Sequence, residues 1–409
     1  MIGDATMVAL SEAVHGAAEP LEFRNRVLKY LIEHRGFTAI ALESGVVESR
    51  TVHDFVRGGS GELSSVVTDG FSWHFERFAQ NRELVRWLRE HNARGATARP
   101  VNFYGFDVSG SPGNPRAGRG LDLALRAALR YLAAVDQLSC DAFLARLGAL
   151  LPHVHFDFCR LPETPGYDQL NASQRDTLTA AIADLIDLFE RRETSYVAAS
   201  DLADYDWGHR GAVVAGQVDQ WLRQIPLDWQ PTTEPPQFPG EQARFFSEAS
   251  AVRDRAQADN LAWIVHREGR EGKILVFASR IHLSATPVKA VWFGPNNPAQ
   301  VVAGVYLRRR YGERLLTVCH LVGGGRHLNG NSESVLAPPI PGSLDDLAGE
   351  VGESQFLLDL RRAPPRVAQW LDEEQVMGPA DHALRLRIGR GFDVLWYVDQ
   401  VTPARSDTQ

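Results

Sequence analysis

The chain has 409 residues, 44% hydrophobic and 23% charged, which is ample material for a large globular core. A net charge of −8 and a pI near 5.9, with no basic run longer than Arg308-Arg309-Arg310, exclude nucleic acid as a general partner. No stretch approaches the ~18 consecutive apolar residues of a membrane span, and the N-terminus lacks the charged-then-apolar layout of a signal peptide.

Three scattered cysteines (Cys140, Cys159, Cys319) show neither a pairing pattern nor metal-ligand spacing, which fits a reducing cytoplasm. The expectation is a cytoplasmic protein with a small-molecule substrate and neither nucleic acid nor membrane as partner. Its oligomeric state is left open.

Along the chain, Thr6 to Leu10 reads as a short buried strand, and Pro20 opens a helix with Leu21, Val27, Leu28 and Leu31 at helical spacing. Phe37 to Leu42 is a second strand, so the first three elements form a βαβ unit with parallel strands. Val47 to Val56 and Asn81 to His91 read as helices, and Val101 to Phe106 as a third strand. Residues 108–118 form a loop rich in Ser, Gly, Pro and Asn.

From there the pattern changes. Leu121 to Leu151, Leu170 to Glu190, Ala212 to Ile225 and Phe245 to Arg267 are amphipathic helices without strand signals between them. Pro226 to Gly240 carries five prolines and reads as a linker or excursion. The α/β pattern resumes with strands at 274–278, 315–319, 356–360 and 392–398, and with a helix over Pro298 to Tyr311. Gly323-Gly324-Gly325 reads as a loop with no helix behind it, hence not as a phosphate cradle.

The fold class is α/β, a mainly parallel mixed sheet of six to eight strands flanked by helices. Residues 1–118 and 269–409 form the core with the active-site cleft, and 119–268 a long helical insert covering the carboxyl-end cleft.

Acids end the first three strands, at Glu12, Glu43 and Asp107, and histidines follow two strand ends, at His15 and His282. Open α/β sheets bind ligands at the carboxyl ends of their strands. If the strands near residues 6, 37 and 274 are neighbours, Glu12, His15, Glu43 and His282 converge on one rim. A histidine is the natural general base near neutral pH, and an adjacent carboxylate fixes its tautomer and raises its basicity.

Arg24, about one turn into the helix after His15, could pair with a carboxylate or bind an anionic oxygen. His282 could stabilise an oxyanion. Trp73 and His74, between elements, could line a pocket for an apolar substrate. Against this stand plainer readings: helix-start acids, a structural ion pair with Arg24, a structural His282 and core tryptophans. No G-x-S-x-G elbow is present and no cysteine sits beside such a histidine, so covalent catalysis finds little support. No cofactor is expected; two histidines and two carboxylates leave a divalent metal open, though without tight ligand spacing.

Taken together, several stretches resemble the erythromycin esterase family. They are Ser11-Glu12-Ala13-Val14-His15-Gly16 with Arg24, Gly36 to Glu43, Asn81 to Arg89 with Asn92, Phe103 to Asp107, Arg253-Asp254-Arg255 with Asn260-Leu261, Phe356 to Arg361, and Phe392-Asp393. The likeness spans nearly the whole chain and is weakest across 110–240. It implies a hydrolase that opens macrolide lactones with an activated water and no covalent intermediate. The family's general base falls on His15, its supporting acids on Glu12 and Glu43, and its arginine on Arg24.

One departure stands out. Where the family usually shows His-Asn-x-His, this chain has Ser279-Arg280-Ile281-His282. Ser279 can donate a hydrogen bond but cannot take up and carry a proton near pH 7 as a histidine does. Arg280 adds a fixed cation to the expected rim, favouring an anionic substrate or intermediate over a macrolide with a basic amino sugar.

The expected function is therefore His-activated hydrolysis of an ester or lactone of a natural product, in antibiotic resistance or biosynthesis. A non-hydrolytic tailoring enzyme working by proton transfer, cyclisation or amide chemistry is the alternative. A silent small-ligand-binding protein is a third reading.

Overall fold

The computed structural model describes residues 2–95, 99–108, 120–154, 166–224, 241–291, 298–330 and 332–406. Its strands are β1 (Met7–Glu12), β2 (Ala39–Gly45), β3 (Asn102–Asp107), β4 (Ile274–Ser279), β5 (Lys289–Ala290), β6 (Leu315–Asn329), β7 (Ser332–Val335), β8 (Gln355–Asp359), β9 (Glu374–Met377), β10 (Leu384–Arg387) and β11 (Val394–Val401). Eight of them form one sheet in the order β3-β2-β4-β1-β6-β11-β8, with β7 added to β6.

The pairs along this path are parallel up to β11, and β8 joins β11 antiparallel. The mainly parallel mixed α/β sheet flanked by helices is the expected class.

The chain runs outward from β1 to β2 and β3, returns with β4 between β2 and β1, and places β6 on the far side of β1. The strand order therefore reverses around β1 and β4, which opens a crevice at their carboxyl ends.

β1 is buried throughout and its side chains alternate between two cores. Met7 and Ala9 pack with Leu125, Leu185 and Val214, while Val8 and Leu10 pack with Leu21, Leu28, Leu84 and Leu88. Being covered on both faces is why a central parallel strand reads as an unbroken apolar run.

The helices are α1 (Ala18–Arg35), α2 (Val46–Val56), α3 (Leu63–Gly70), α4 (Ala79–Ala93), α5 (Leu121–Val135), α6 (Gln137–Leu147), α7 (Ala172–Ala199), α8 (Leu202–Leu222), α9 (Glu241–Glu268), α10 (Arg280–Leu283), α11 (Ala303–Tyr311) and α12 (Leu344–Gly349), before two short C-terminal helices. Helices α5, α7 and α8 share one hydrophobic core with the strands.

The helix expected over Leu121–Leu151 breaks at Asp136, whose side chain accepts the Ser139 amide at 3.1 Å and starts α6. The loop expected at 108–118 and the proline-rich stretch Pro226–Gly240 lie almost wholly outside the described residues.

Two further expectations are corrected. The helix read over Pro298–Tyr311 begins only at Ala303, because Gln300 is extended and exchanges backbone bonds of 2.7 and 3.0 Å with Val288. Gly323-Gly324-Gly325 is not a loop but lies inside the 15-residue β6. A Cβ on Gly323 would sit 2.4 Å from the Tyr397 hydroxyl, so glycine lets β11 approach. The small sheet β5-β10-β9 has strands too short for a periodic signal, although Leu384-Arg385-Leu386-Arg387 alternates buried and exposed.

The turn after β1 depends on Gly16, which has a φ of +77°. A Cβ there would lie 2.1 Å from the Leu328 carbonyl oxygen of β6, whose amide donates to the Gly16 carbonyl at 2.8 Å. Gly16→Ala is expected to cost about 1–3 kcal/mol, read as a lowered Tm in thermal unfolding, with activity reduced further than stability because the change displaces His15.

Candidate active site

Glu12 closes β1 as a buried residue, and the turn behind it brings His15 back over it. The His15 Nδ1 lies 2.7 Å from Glu12 Oε1. The His15 side chain is 43% exposed to the cleft, and its ring leans on Phe75 at 5.1 Å. Desolvation pushes the imidazole pKa down. The charge and hydrogen bond of Glu12, helped by Glu43, overturn this and raise it above the ordinary 6.5. With Nδ1 donating to the carboxylate, Nε2 is the nitrogen left for the cleft.

Glu43, in β2, is held by three groups. Arg253 Nη2 donates to Oε1 at 3.0 Å, His282 Nε2 lies 3.2 Å from the same oxygen, and the Ser279 amide donates to Oε2 at 2.7 Å. Burial would raise its pKa, but His282, His15 and Arg253 hold it well below the usual carboxylate range.

His282, on α10, also has its Nδ1 2.8 Å from Asp254 Oδ1. Burial opposes its charge, yet Asp254 and Glu43 raise its pKa to about 10. It is therefore an imidazolium near neutral pH with both N–H groups spent on carboxylates. The expected oxyanion-donor role for His282 is corrected to that of a cationic link between β2, α9 and α10.

Arg24 is also placed differently from the expectation. It is 1% exposed, bonds Asn25 Oδ1 at 3.1 and 2.8 Å, lies over the Phe277 ring at 5.0 Å, and does not line the cleft. Burial lowers its pKa to about 10 against the pull of Glu12, so it acts on that carboxylate through charge from behind the site.

Asp107, expected at the substrate, does not line the cleft. It is wholly buried and accepts from Arg253, from Trp73 Nε1 at 3.1 Å and from Gln257 at 3.1 Å. Its expected contact with substrate is thereby replaced by a contact that holds Arg253.

Arg280 departs most from expectation. Its side chain is buried and turned inward, bonded to the His320 carbonyl at 3.1 Å, Asp345 at 3.3 Å and the His382 carbonyl at 3.4 Å. Asp345, also buried, compensates its charge, so the argument against a substrate bearing a basic amine lapses.

The cleft encloses about 780 Å³ and is lined by His15, Glu43, Trp73, His74, Arg253, Ser279 and His282, with Phe75, Phe78, Leu328 and Val335 as apolar walls. Trp73 and His74 both adopt left-handed backbone angles, φ 61° and 66°. The Trp73 ring carries the Arg253 guanidinium 5.2 Å from its centroid. Burial opposes the charge on Arg253, but Asp107 and Glu43 hold it firmly protonated. It lines the cleft together with His15 and His282.

Sequence reasoning assigned no role to Arg253, Asp254, Gln257, His320 or His327. The available signal lay on α9, where Asp254, Gln257 and Asn260 recur every third residue on a fully buried face. A helix that turns polar side chains inward marks a site. Among the described residues no group of three or more His, Cys, Asp or Glu side chains converges as a metal site, and no helix is long and apolar enough to cross a membrane.

Comparison with known proteins adds family evidence. A family model described as erythromycin esterase matches residues 32–401. An erythromycin esterase type II from Escherichia coli is 31% identical over 114 residues, which is 28% of this chain and only 26% of that protein. A putative hydrolase, YbfO, from Bacillus subtilis is 23% identical over 353 residues, 83% of this chain and 71% of that protein.

Among solved structures, a Bacillus cereus protein has a TM-score of 0.75 at 23% identity, covering 100% of this chain and 91% of its own. A succinoglycan biosynthesis protein has a TM-score of 0.73 at 16% identity, covering 99% and 90%. An erythromycin esterase mutant, EreC in its open conformation, has a TM-score of 0.70 at 15% identity, covering 100% and 93%. These likenesses establish a shared fold.

The buried Arg280–Asp345 pair gives a direct stability test. Asp345→Leu leaves an uncompensated buried cation and is expected to cost about 3–5 kcal/mol, whereas adding Arg280→Met relieves only the charge, since the Val322 and Gly378 amides stay unpaired, and recovers part of that loss. Urea unfolding midpoints of the single and double variants measure the difference.

Proposed function

This chain belongs to the erythromycin esterase family, and on that premise we propose that it hydrolyses an ester or lactone of a natural product with a water activated by His15. Family membership supports a hydrolase-like function at the coarser level. The observation that carries the finer reading is the Glu12–His15 pair, which commits Nδ1 to a carboxylate and leaves Nε2 to the cleft.

In this mechanism Nε2 takes a proton from a water as its oxygen attacks the acyl carbon. Glu12 stabilises the imidazolium that forms. The oxyanion of the tetrahedral intermediate gains a charge-assisted partner in Arg253, which Glu43, Asp107 and the Trp73 face hold at the cleft. On collapse the acyl–oxygen bond breaks and His15 returns the proton to the leaving alkoxide, giving an alcohol and a carboxylic acid that loses its remaining proton to solvent, or a linear hydroxy acid from a lactone. The buried Cys140 and Cys319 take no part.

Substrate selection in this reading falls to the apolar walls and to the histidines at the rim. The compensated charge of Arg280 plays no part in it.

His15→Ala is expected to lower kcat by roughly a hundredfold or more, with a product heavier than substrate by one water in the wild type. A product of unchanged mass would point to isomerisation at the same base, and tight binding without turnover to a binding protein. The acid limb of kcat/KM should lie above pH 6.5, since a raised pKa keeps His15 protonated, and inactive as a base, to higher pH. Glu12→Gln removes the charge that raises it, so the limb should move to lower pH while the plateau rate falls.

A further inference from the structure

The catalytic turn leaves the sheet on one side only. Strand β1 pairs with β6 from Met7–Leu315 to Leu10–Val318 and no further, while it stays paired with β4 through Glu12–Ser279. Past Leu10, the edge facing β6 has lost its ladder at the residues that carry Glu12 and His15. Two side chains take over. Ser11 Oγ accepts the His320 amide at 3.1 Å, and His320 Nδ1 accepts the Ala13 amide at 3.1 Å.

We propose that His320 is a positioning residue for the catalytic turn: by accepting the Ala13 N–H it fixes the backbone between Glu12 and His15. The proposal rests on the reading of His15 as the base.

The geometry is specific to a neutral imidazole of one tautomer. Nδ1 must offer its lone pair to Ala13, so the proton sits on Nε2, which is buried without a partner among the described residues. The ring is wholly buried and stacked on Trp396 at 4.5 Å, which sets its plane. Arg280 donates to the His320 carbonyl at 3.1 Å and fixes the backbone beneath it. Burial first, and the Arg280 charge second, hold the pKa down to about 3, so the acceptor stays an acceptor across the working range.

Further along the same strand, His327 Nδ1 donates to the His15 carbonyl at 3.0 Å, so β6 grips the turn at its far end in the opposite sense. A displacement of about 1 Å in such a turn is enough to cost roughly a hundredfold in rate.

The test compares His320→Phe, which keeps a ring on Trp396 but removes the acceptor, with His320→Asn, whose Oδ1 occupies the Nδ1 position. NMR titration of the His15 imidazole, in a field set by Glu12, Glu43 and His282, reads positioning without reference to turnover. The expected result is a midpoint above 6.5 in the wild type and in His320→Asn, and a fall toward 6.5 in His320→Phe. kcat should drop roughly tenfold or more in His320→Phe with KM little changed.

In the wild type, a through-bond 15N–15N coupling should link the Ala13 amide and His320 Nδ1, which needs no variant to fold. Its absence overturns the proposal. So does a His320→Phe enzyme with wild-type midpoint and rate, or a folded His320→Asn that behaves like His320→Phe. If His15→Ala instead retains turnover, the hydrolytic reading falls while the titration still decides the role of His320.

Discussion

The 2.7 Å hydrogen bond between Glu12 and His15 decides which nitrogen of the imidazole faces the cleft, and much of the surrounding structure holds those two residues in place. The carboxylate is buried at the end of a central strand, where an isolated charge is expensive. It is tolerated because His15 bonds one oxygen and Arg24, behind the site, supplies a compensating field.

The second imidazole of the site shows how environment separates two identical groups. His15 meets one carboxylate and keeps a free nitrogen. His282 lies between Asp254 and Glu43 and keeps none. Both pKa values are raised, that of His15 by one bonded carboxylate and that of His282 further by two. The same accounting runs through Arg253, whose charge is shared by Asp107 and Glu43 from two strands. The buried charges of the rim thus form a closed set in which β2, β3, α9 and α10 are tied together.

The strands around the cleft were legible in the sequence because β1, β2 and β4 are buried on both faces and their apolar runs are unbroken. The Glu12–His15 pair was legible because both residues lie in one turn. What pattern could not reveal was long-range pairing. His282 reads as an available donor until Asp254 arrives from a helix 28 residues upstream, and Arg24 reads as a rim residue until Phe277 and Asn25 hold it inside. The glycines of β6 misled for a related reason. A run that usually marks a loop here marks the close approach of Tyr397 on β11, a fact of the third dimension.

Arg280 extends that point to specificity. Its guanidinium reaches Asp345, whose two oxygens also accept the Val322 and Gly378 amides. Gly378 has to lack a side chain, since a Cβ there would sit 2.0 Å from Arg280 Nη2. Arginine, aspartate and glycine therefore form one packed unit joining α10 to β6, α12 and β9. Arg280 borders the cleft, but its guanidinium is turned inward onto Asp345 and anchors the short helix that carries His282. The polar lining of the cleft includes His15, Glu43, Arg253, His282 and Asp381, and its apolar wall includes Trp73, Phe75, Leu328 and Val335. Two of those residues, Leu328 and Val335, belong to the β6–β7 hairpin that also binds the catalytic turn through His327 and the Leu328 amide. The hairpin that walls the cleft is thus bonded directly to the backbone of His15 and Gly16.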